Sequence, residues 1–156
     1  MKRKKCNCKR RTTEELQRIL SNLKKYEVWM MWSLTHILAA DNQGQGVIHN
    51  ALVESFLIHA RLLIEFLYRD TQMKDDDALA KDFFSPATKW QGIRPVKSRL
   101  LEETTQAANK HLVHLTYTRL QKKKRWPYIE IANDIKAVLQ VFHEKLSDDF
   151  TKESNA

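Results

Sequence analysis

The chain has 156 residues, of which 42% are hydrophobic, three are glycine and three are proline. This composition excludes a disordered chain and an all-β fold, which would need many more turn residues. The formal net charge of +8 is concentrated at the start, because residues 1–11 hold seven of the 27 basic residues and no acidic one, whereas residues 12–156 hold 20 basic against 19 acidic.

This distribution predicts one domain over residues 12–147, a basic and disordered tail over residues 1–11, and a frayed end over residues 148–156. The tail could contact phosphate groups of RNA or DNA, or could serve only to keep the protein soluble. Cys6 and Cys8, both in the tail, are poorly placed for a structural disulfide, and no second pair completes a zinc site. We therefore expect free thiols, no metal and no cofactor.

No uncharged apolar stretch is long enough to cross a membrane. The longest uncharged apolar stretch spans residues 28–40 and is 13 residues long, short of the roughly 20 that a span requires. Together with the free thiols, which are typical of a reducing compartment, this predicts a cytoplasmic protein that is not attached to a membrane.

The first predicted helix covers residues 12–40. Thr12 and Glu15 have the spacing of a capping box. Trp29, Met31 and Trp32 widen the apolar surface and are expected to be buried between helices or to form an oligomer contact. The helical period runs through Leu16, Ile19, Leu20, Leu23, Met30, Leu34, Ile37 and Leu38.

A turn over residues 41–46 leads to a second helix over residues 47–69, which is expected to be the most buried. His59 lies within its apolar stripe, where a hydrogen-bonded core histidine and a catalyst are both open interpretations. Arg61 and Glu65 are spaced for an i, i+4 ion pair. The stripe consists of Ile48, Leu52, Phe56, Ala60, Leu63 and Leu67.

Residues 70–96 predict an irregular crossover. The three aspartates at positions 75–77 could cap a short helix over residues 78–83. Phe83, Phe84 and Trp90 are expected to anchor the crossover to the core.

A third helix is predicted over residues 96–121 and a fourth from Pro127 onwards. The stripe of the fourth comprises Tyr128, Ile131, Ala132, Ile135, Val138, Leu139, Phe142 and Leu146. The fold class is therefore all-α, and the expected architecture is an antiparallel four-helix bundle with the irregular crossover between helices 2 and 3.

The third helix carries the residues best suited to chemistry. His111 and His114 are one turn apart on a flank of small and polar residues that includes Thr104 and Ala107, and imidazole suits proton transfer near neutral pH. A structural role for both histidines is the alternative. Arg119 follows in line with the core stripe and would need a carboxylate, such as Glu54 or Glu65, or an anionic ligand. A basic run of Lys122, Lys123, Lys124 and Arg125 ends this helix.

The segment from Asn109 through Lys110 to His114, on a late helix after a long helix 2 and an irregular crossover, resembles the HEPN superfamily. The resemblance implies a helical domain that commonly dimerises. It is either a metal-independent ribonuclease, often the toxin of a toxin–antitoxin or phage-defence system with an antitoxin-like partner, or a non-catalytic binder of RNA or nucleotides. The family motif has an Arg, then four to six intervening residues, then the His. Here Ala107, Ala108 and Asn109 occupy those positions before His114, and residues 104–106 before His111 are Thr, Thr and Gln.

Two hypotheses follow from these residues. In a ribonuclease, His114 would act as general base or acid, and Lys110, Arg119 or Arg61 would stabilise the developing phosphorane charge in place of the missing Arg. In a non-catalytic binding or interaction module, residues 122–125 and the tail would hold phosphate without cleavage. The missing Arg and the nearly neutral body favour the second hypothesis.

Overall fold

The computed structural model describes residues 11–41, 44–110 and 126–151. Within these ranges every regular element is helical and there is no strand, so the predicted all-α class is confirmed. The elements in chain order are α1 (Thr13–Asn22), a π-helical segment (Leu23–Val28), α2 (Trp29–Ala40), α3 (Val47–Tyr68), a 3-10 helix (Ala80–Phe83), α4 (Thr88–Ile93), α5 (Arg99–Ala108), α6 (Tyr128–Lys145) and α7 (Asp148–Thr151).

The first helical rod begins at the predicted cap. The Glu15 backbone N–H donates to Thr12 Oγ1 at 3.2 Å, and the Thr12 N–H donates to Glu15 Oε2 at 2.9 Å. The rod is not one continuous α-helix, because the π-helical segment separates α1 from α2. A π turn shifts the angular register of the residues before it relative to those after it, so the period seen along α1 does not continue unchanged into α2, although both helices contribute buried residues to the same core.

The core lies where α3 packs against α2, α5 and α6, and α2 also packs against α6. Its largest fully buried side chains include Met31, Phe56, Leu63, Ile131 and Phe142. Among the described helices, α3 alone is long and apolar enough, by length and composition, to cross a membrane. The core helices of globular proteins can share this length and composition.

Four apolar residues of the predicted helices, for which burial was one expectation, are exposed. Ile48 is 77% exposed because it lies in the first turn of α3, and Trp29 is 58% exposed at the start of α2. Ile19 and Ile37 are also exposed. Since α2 is apolar on most of its sides, its sequence could not indicate which residues face the core.

The crossover differs from its prediction in how it is capped. Asp77 does not cap a helix that follows it, because its Oδ2 accepts hydrogen bonds from the preceding N–H groups of Met73 (2.8 Å) and Lys74 (3.0 Å). The 3-10 helix begins only at Ala80, and Asp82 caps it by accepting from the Leu79 N–H at 2.9 Å. The helix α4 was not predicted.

The predicted anchoring of the crossover is confirmed. Phe83, Phe84 and Trp90 are buried, the rings of Phe84 and Trp90 stack with centroids 5.4 Å apart, and Trp90 Nε1–H donates to the Leu67 carbonyl at 2.8 Å.

The helices after the crossover begin later than predicted. Ser98 caps α5 by accepting from the Leu101 N–H at 3.2 Å, so α5 starts at Arg99 and not at residue 96. In α6 the predicted stripe is buried from Ile131 to Phe142. Residues 148–151, predicted to fray, form α7, and the ring of Phe150 lies 5.4 Å from that of Phe83.

Candidate functional site

Among the described residues, a groove between the first rod and the C-terminal half of α3 contains the predicted site residue Arg61. Residues 76–79 of the crossover close one end of it, and its volume is about 600 Å³. We call it the α1–α3 groove. Its apolar lining comprises Ile19, Leu23, Ile58, Leu62, Phe66, Ala78 and Leu79, and its polar lining comprises Asn22, Glu27, Arg61, Glu65, Arg69, Asp76 and Asp77.

A row of ion pairs follows one wall of this groove. Arg61 Nε donates to Glu65 Oε1 at 2.8 Å, Glu65 Oε2 bonds to Arg69, and Arg69 Nη1 lies 3.5 Å from Asp77 Oδ2. The predicted Arg61–Glu65 pair is therefore confirmed. Glu65, expected as a possible partner of Arg119, lies between Arg61 and Arg69.

The carboxyl group of Asp77 is stabilised in its ionised form at the end of this row. Burial acts to raise its pKa, but hydrogen bonds from the Lys74 and Met73 N–H groups and the charge of Arg69 bring the pKa below its ordinary value. The row is thus a fixed set of charges along the groove.

The other end of the groove is defined by a contact between the π-helical segment and α3. His59 is 8% exposed, and its Nδ1 lies 2.7 Å from Glu27 Oε2. The Tyr26 ring meets the imidazole edge-on, with centroids 5.7 Å apart. The interpretation of His59 as a hydrogen-bonded core residue is confirmed. Its partner Glu27 was not predicted, because the π turn that orients Glu27 has no clear pattern in the sequence.

The described part of the third predicted helix ends at Lys110. Asn109 is half-buried and Lys110 is exposed, and both follow α5. The other predicted site residues, His111, His114, Arg119, Lys122, Lys123, Lys124 and Arg125, lie outside the described residues. The structure therefore brings Arg61 into the groove and does not place the histidines relative to it.

One expectation about this helix is wrong in its described part. Thr104 was predicted on an open flank, but it is only 2% exposed. The cause is packing on two sides, since α5 contacts both α3 and α6. Ala107 on the same flank is half-buried.

A second polar cluster, which the sequence did not predict, lies where α3, α5 and α6 meet. The Tyr68 hydroxyl is buried without a hydrogen-bond partner among the described residues, and burial raises its pKa. The guanidinium of Arg94 lies 5.4 Å and the Lys97 ammonium 5.9 Å from the centre of the Tyr68 ring. Burial lowers the pKa of Lys97, and Lys97 Nζ donates to Thr105 Oγ1 at 3.3 Å.

The described residues contain no group of three or more His, Cys, Asp or Glu side chains that could hold a metal ion. No family model matches the chain, and no curated protein or solved structure matches it either.

Proposed function

We propose that this protein is a non-catalytic RNA- or nucleotide-binding module of the cytoplasm, built as a HEPN-like antiparallel four-helix bundle. One observation carries the proposal. Residues 1–11 and 122–125 hold eleven of the 27 basic residues and no acidic one, so the rest of the chain has 16 basic against 19 acidic residues. Concentrated positive charge on a slightly acidic body favours contact with a polyanion through its phosphates.

The positions and partners of the arginines support the absence of catalysis. The family's motif Arg is replaced at positions 107–109 by Ala, Ala and Asn. Arg61, the only arginine of the candidate catalytic set that the structure describes, donates to Glu65, which offsets its charge. An arginine tied to a carboxylate is less suited to stabilise a phosphorane.

The experiment is a titration of fluorescently labelled single-stranded RNA with the full chain, read by anisotropy. Replacing residues 122–125 with alanine is expected to weaken binding at least about tenfold, because four phosphate contacts are lost. The control replaces Lys24, Lys25, Lys74 and Lys145 with alanine, which removes the same charge from exposed positions elsewhere. Equal weakening by both variants would contradict a specific role for the basic run.

The alternative is a metal-independent ribonuclease of a toxin–antitoxin or phage-defence system, favoured by the sequence from Asn109 to His114. In that case the intact protein would cleave RNA and His114→Ala would abolish cleavage, whereas His36→Ala, at an exposed position of α2, would not. Our proposal expects no cleavage by the intact protein.

The proposal includes a homodimer. The exposed side chains of Trp29 and Ile37 on α2 support it, since large apolar residues on one helix commonly mark an interface. Sedimentation equilibrium tests it, and a monomer mass at micromolar concentration would contradict it.

A further inference from the structure

We propose that the α1–α3 groove is a docking site for a basic amphipathic helix of a partner protein. This inference does not rest on RNA binding, because it concerns a surface of the opposite charge.

The apolar side chains of the groove form two rows at helical spacing. Ile58, Leu62 and Phe66 follow one another at i, i+4 on α3, and Ile19 and Leu23 do so across the groove. Ile58 is 54% exposed, and Leu62 and Ile19 are each 40% exposed. Single exposed apolar residues need no explanation, but these converge on one concavity with a buried floor. Two rows flanking a channel suit the apolar face of an inserted helix.

The charge of the groove indicates the chemistry of its partner. Glu27, Glu65, Asp76 and Asp77 line it together with only two arginines, Arg61 and Arg69, which leaves an excess of two negative charges. The whole chain carries a net charge of +8, so the groove is negative although the protein as a whole is positive. A partner helix that is apolar on one face and rich in Lys or Arg beside that face is complementary to both parts of the groove. Its apolar face matches the apolar side chains, which form the floor, and its basic residues match the charged side chains, which form the rim.

The rim is also ordered before any partner arrives. Glu65 bonds to both arginines, Arg69 reaches Asp77, and Glu27 is held by His59. Side chains that are already fixed lose little entropy on binding. The same negative excess disfavours RNA in the groove, because phosphates would meet carboxylates.

The probe is a fluorescein-labelled amphipathic peptide of about 18 leucine and lysine residues, with leucine on one helical face. It is titrated with the full chain at 150 mM salt. Ile58→Glu and Leu62→Glu, both at exposed positions of α3, are expected to weaken binding at least about tenfold, because each places a carboxylate on the apolar floor. Val96→Glu and Ile129→Glu, at exposed positions that do not line the groove, are expected to leave the affinity unchanged.

Charge is tested separately from shape. Asp76→Lys, at an exposed rim position, is expected to weaken binding of the leucine–lysine peptide several-fold. A leucine–glutamate peptide of the same pattern can contact the basic runs of the chain, so its affinity for the intact protein is not informative by itself. The informative quantity is the change in its affinity caused by Ile58→Glu, and we expect no change. Far-UV circular dichroism and the urea midpoint of each variant establish that it is folded, and Leu62→Gln provides a milder substitution at the same position.

Three results would overturn the proposal. The leucine–lysine peptide could bind the groove variants and the intact chain equally well. The leucine–glutamate peptide could lose affinity in the groove variants as strongly as its basic counterpart does. Sedimentation could show that the groove variants convert a dimer to a monomer, in which case the occupant of the groove is a second copy of this chain.

Discussion

At the scale of single residues, the contact between Glu27 and His59 joins the π-helical segment to the core helix. Both side chains are largely shielded from water, and their 2.7 Å contact satisfies a polar atom on each. Removing one partner leaves the other shielded and unpaired, which costs more than the net contribution of the hydrogen bond itself.

We therefore expect Glu27→Ala to lower the free energy of unfolding by about 1–3 kcal/mol, the usual cost of an unsatisfied buried group. Urea denaturation measures this change. Glu54→Ala, at an exposed position of α3, is the control and should alter stability by less than about 0.5 kcal/mol. If the two variants had the same midpoint, the contact would have no structural role.

His143 on α6 gives the protein a dependence of stability on pH. Burial lowers its pKa from the ordinary value of 6.5, and Lys24 lowers it further. Above that ordinary value the imidazole is neutral in the folded and unfolded chains alike. As the pH falls below it, the unfolded chain takes up the proton first, so folding stability is lost.

His143→Gln is accordingly expected to reduce the fall in urea midpoint between pH 7.5 and pH 5.5, because glutamine does not titrate. The comparison is the difference between the two proteins at each pH, which cancels the contributions that both proteins share. An identical pH dependence of the two midpoints would show that His143 does not contribute.

At the scale of elements, the buried face of a helix was predicted correctly only where the sequence pattern distinguishes one face of that helix from the others. The stripe of α6 alternates with charged residues, and its buried face was predicted correctly from Ile131 to Phe142. The rod of α1 and α2 was predicted as helix, but a π turn breaks its period, and Ile19 and Trp29 lie outside the core. Periodicity assumes a constant turn, so it cannot detect such a shift.

The candidate site was predictable only where a local rule applied. Arg61 and Glu65 are four residues apart on one helix, and their ion pair was predicted. The groove itself depends on α1, α3 and residues 76–79 coming together, which local spacing does not encode. Asp77 shows the same limit of local sequence rules. Its carboxylate can accept from N–H groups of a following helix or of earlier residues, and here it accepts from the earlier N–H of Met73.

The crossover should be one of the elements on which stability depends most. Trp90→Ala removes a fully buried ring, its stacking on Phe84 and its hydrogen bond to Leu67, and we expect a loss of about 3–5 kcal/mol in the free energy of unfolding. Met73→Ala, at an exposed position of the same crossover, should cost less than about 0.5 kcal/mol. A loss below about 1 kcal/mol for Trp90→Ala would mean that the crossover is not anchored there.

At the scale of the whole molecule, charge of opposite sign is separated along the chain. The basic excess lies in residues 1–11 and 122–125, whereas the α1–α3 groove has an excess of carboxylates. This separation allows two independent interactions, a polyanion at the basic runs and a basic helix in the groove. The net charge of +8 alone, which the sequence gives at once, could not have indicated an acidic groove.

The most direct test of the central claim is the affinity for single-stranded RNA as a function of salt concentration. For the intact protein we predict that the logarithm of the association constant falls linearly with the logarithm of salt concentration. Replacing residues 122–125 with alanine should make that slope shallower by up to about 3, because each phosphate contact on a single strand contributes about 0.7. An affinity that does not change with salt, or a slope that is the same in both proteins, would contradict the account.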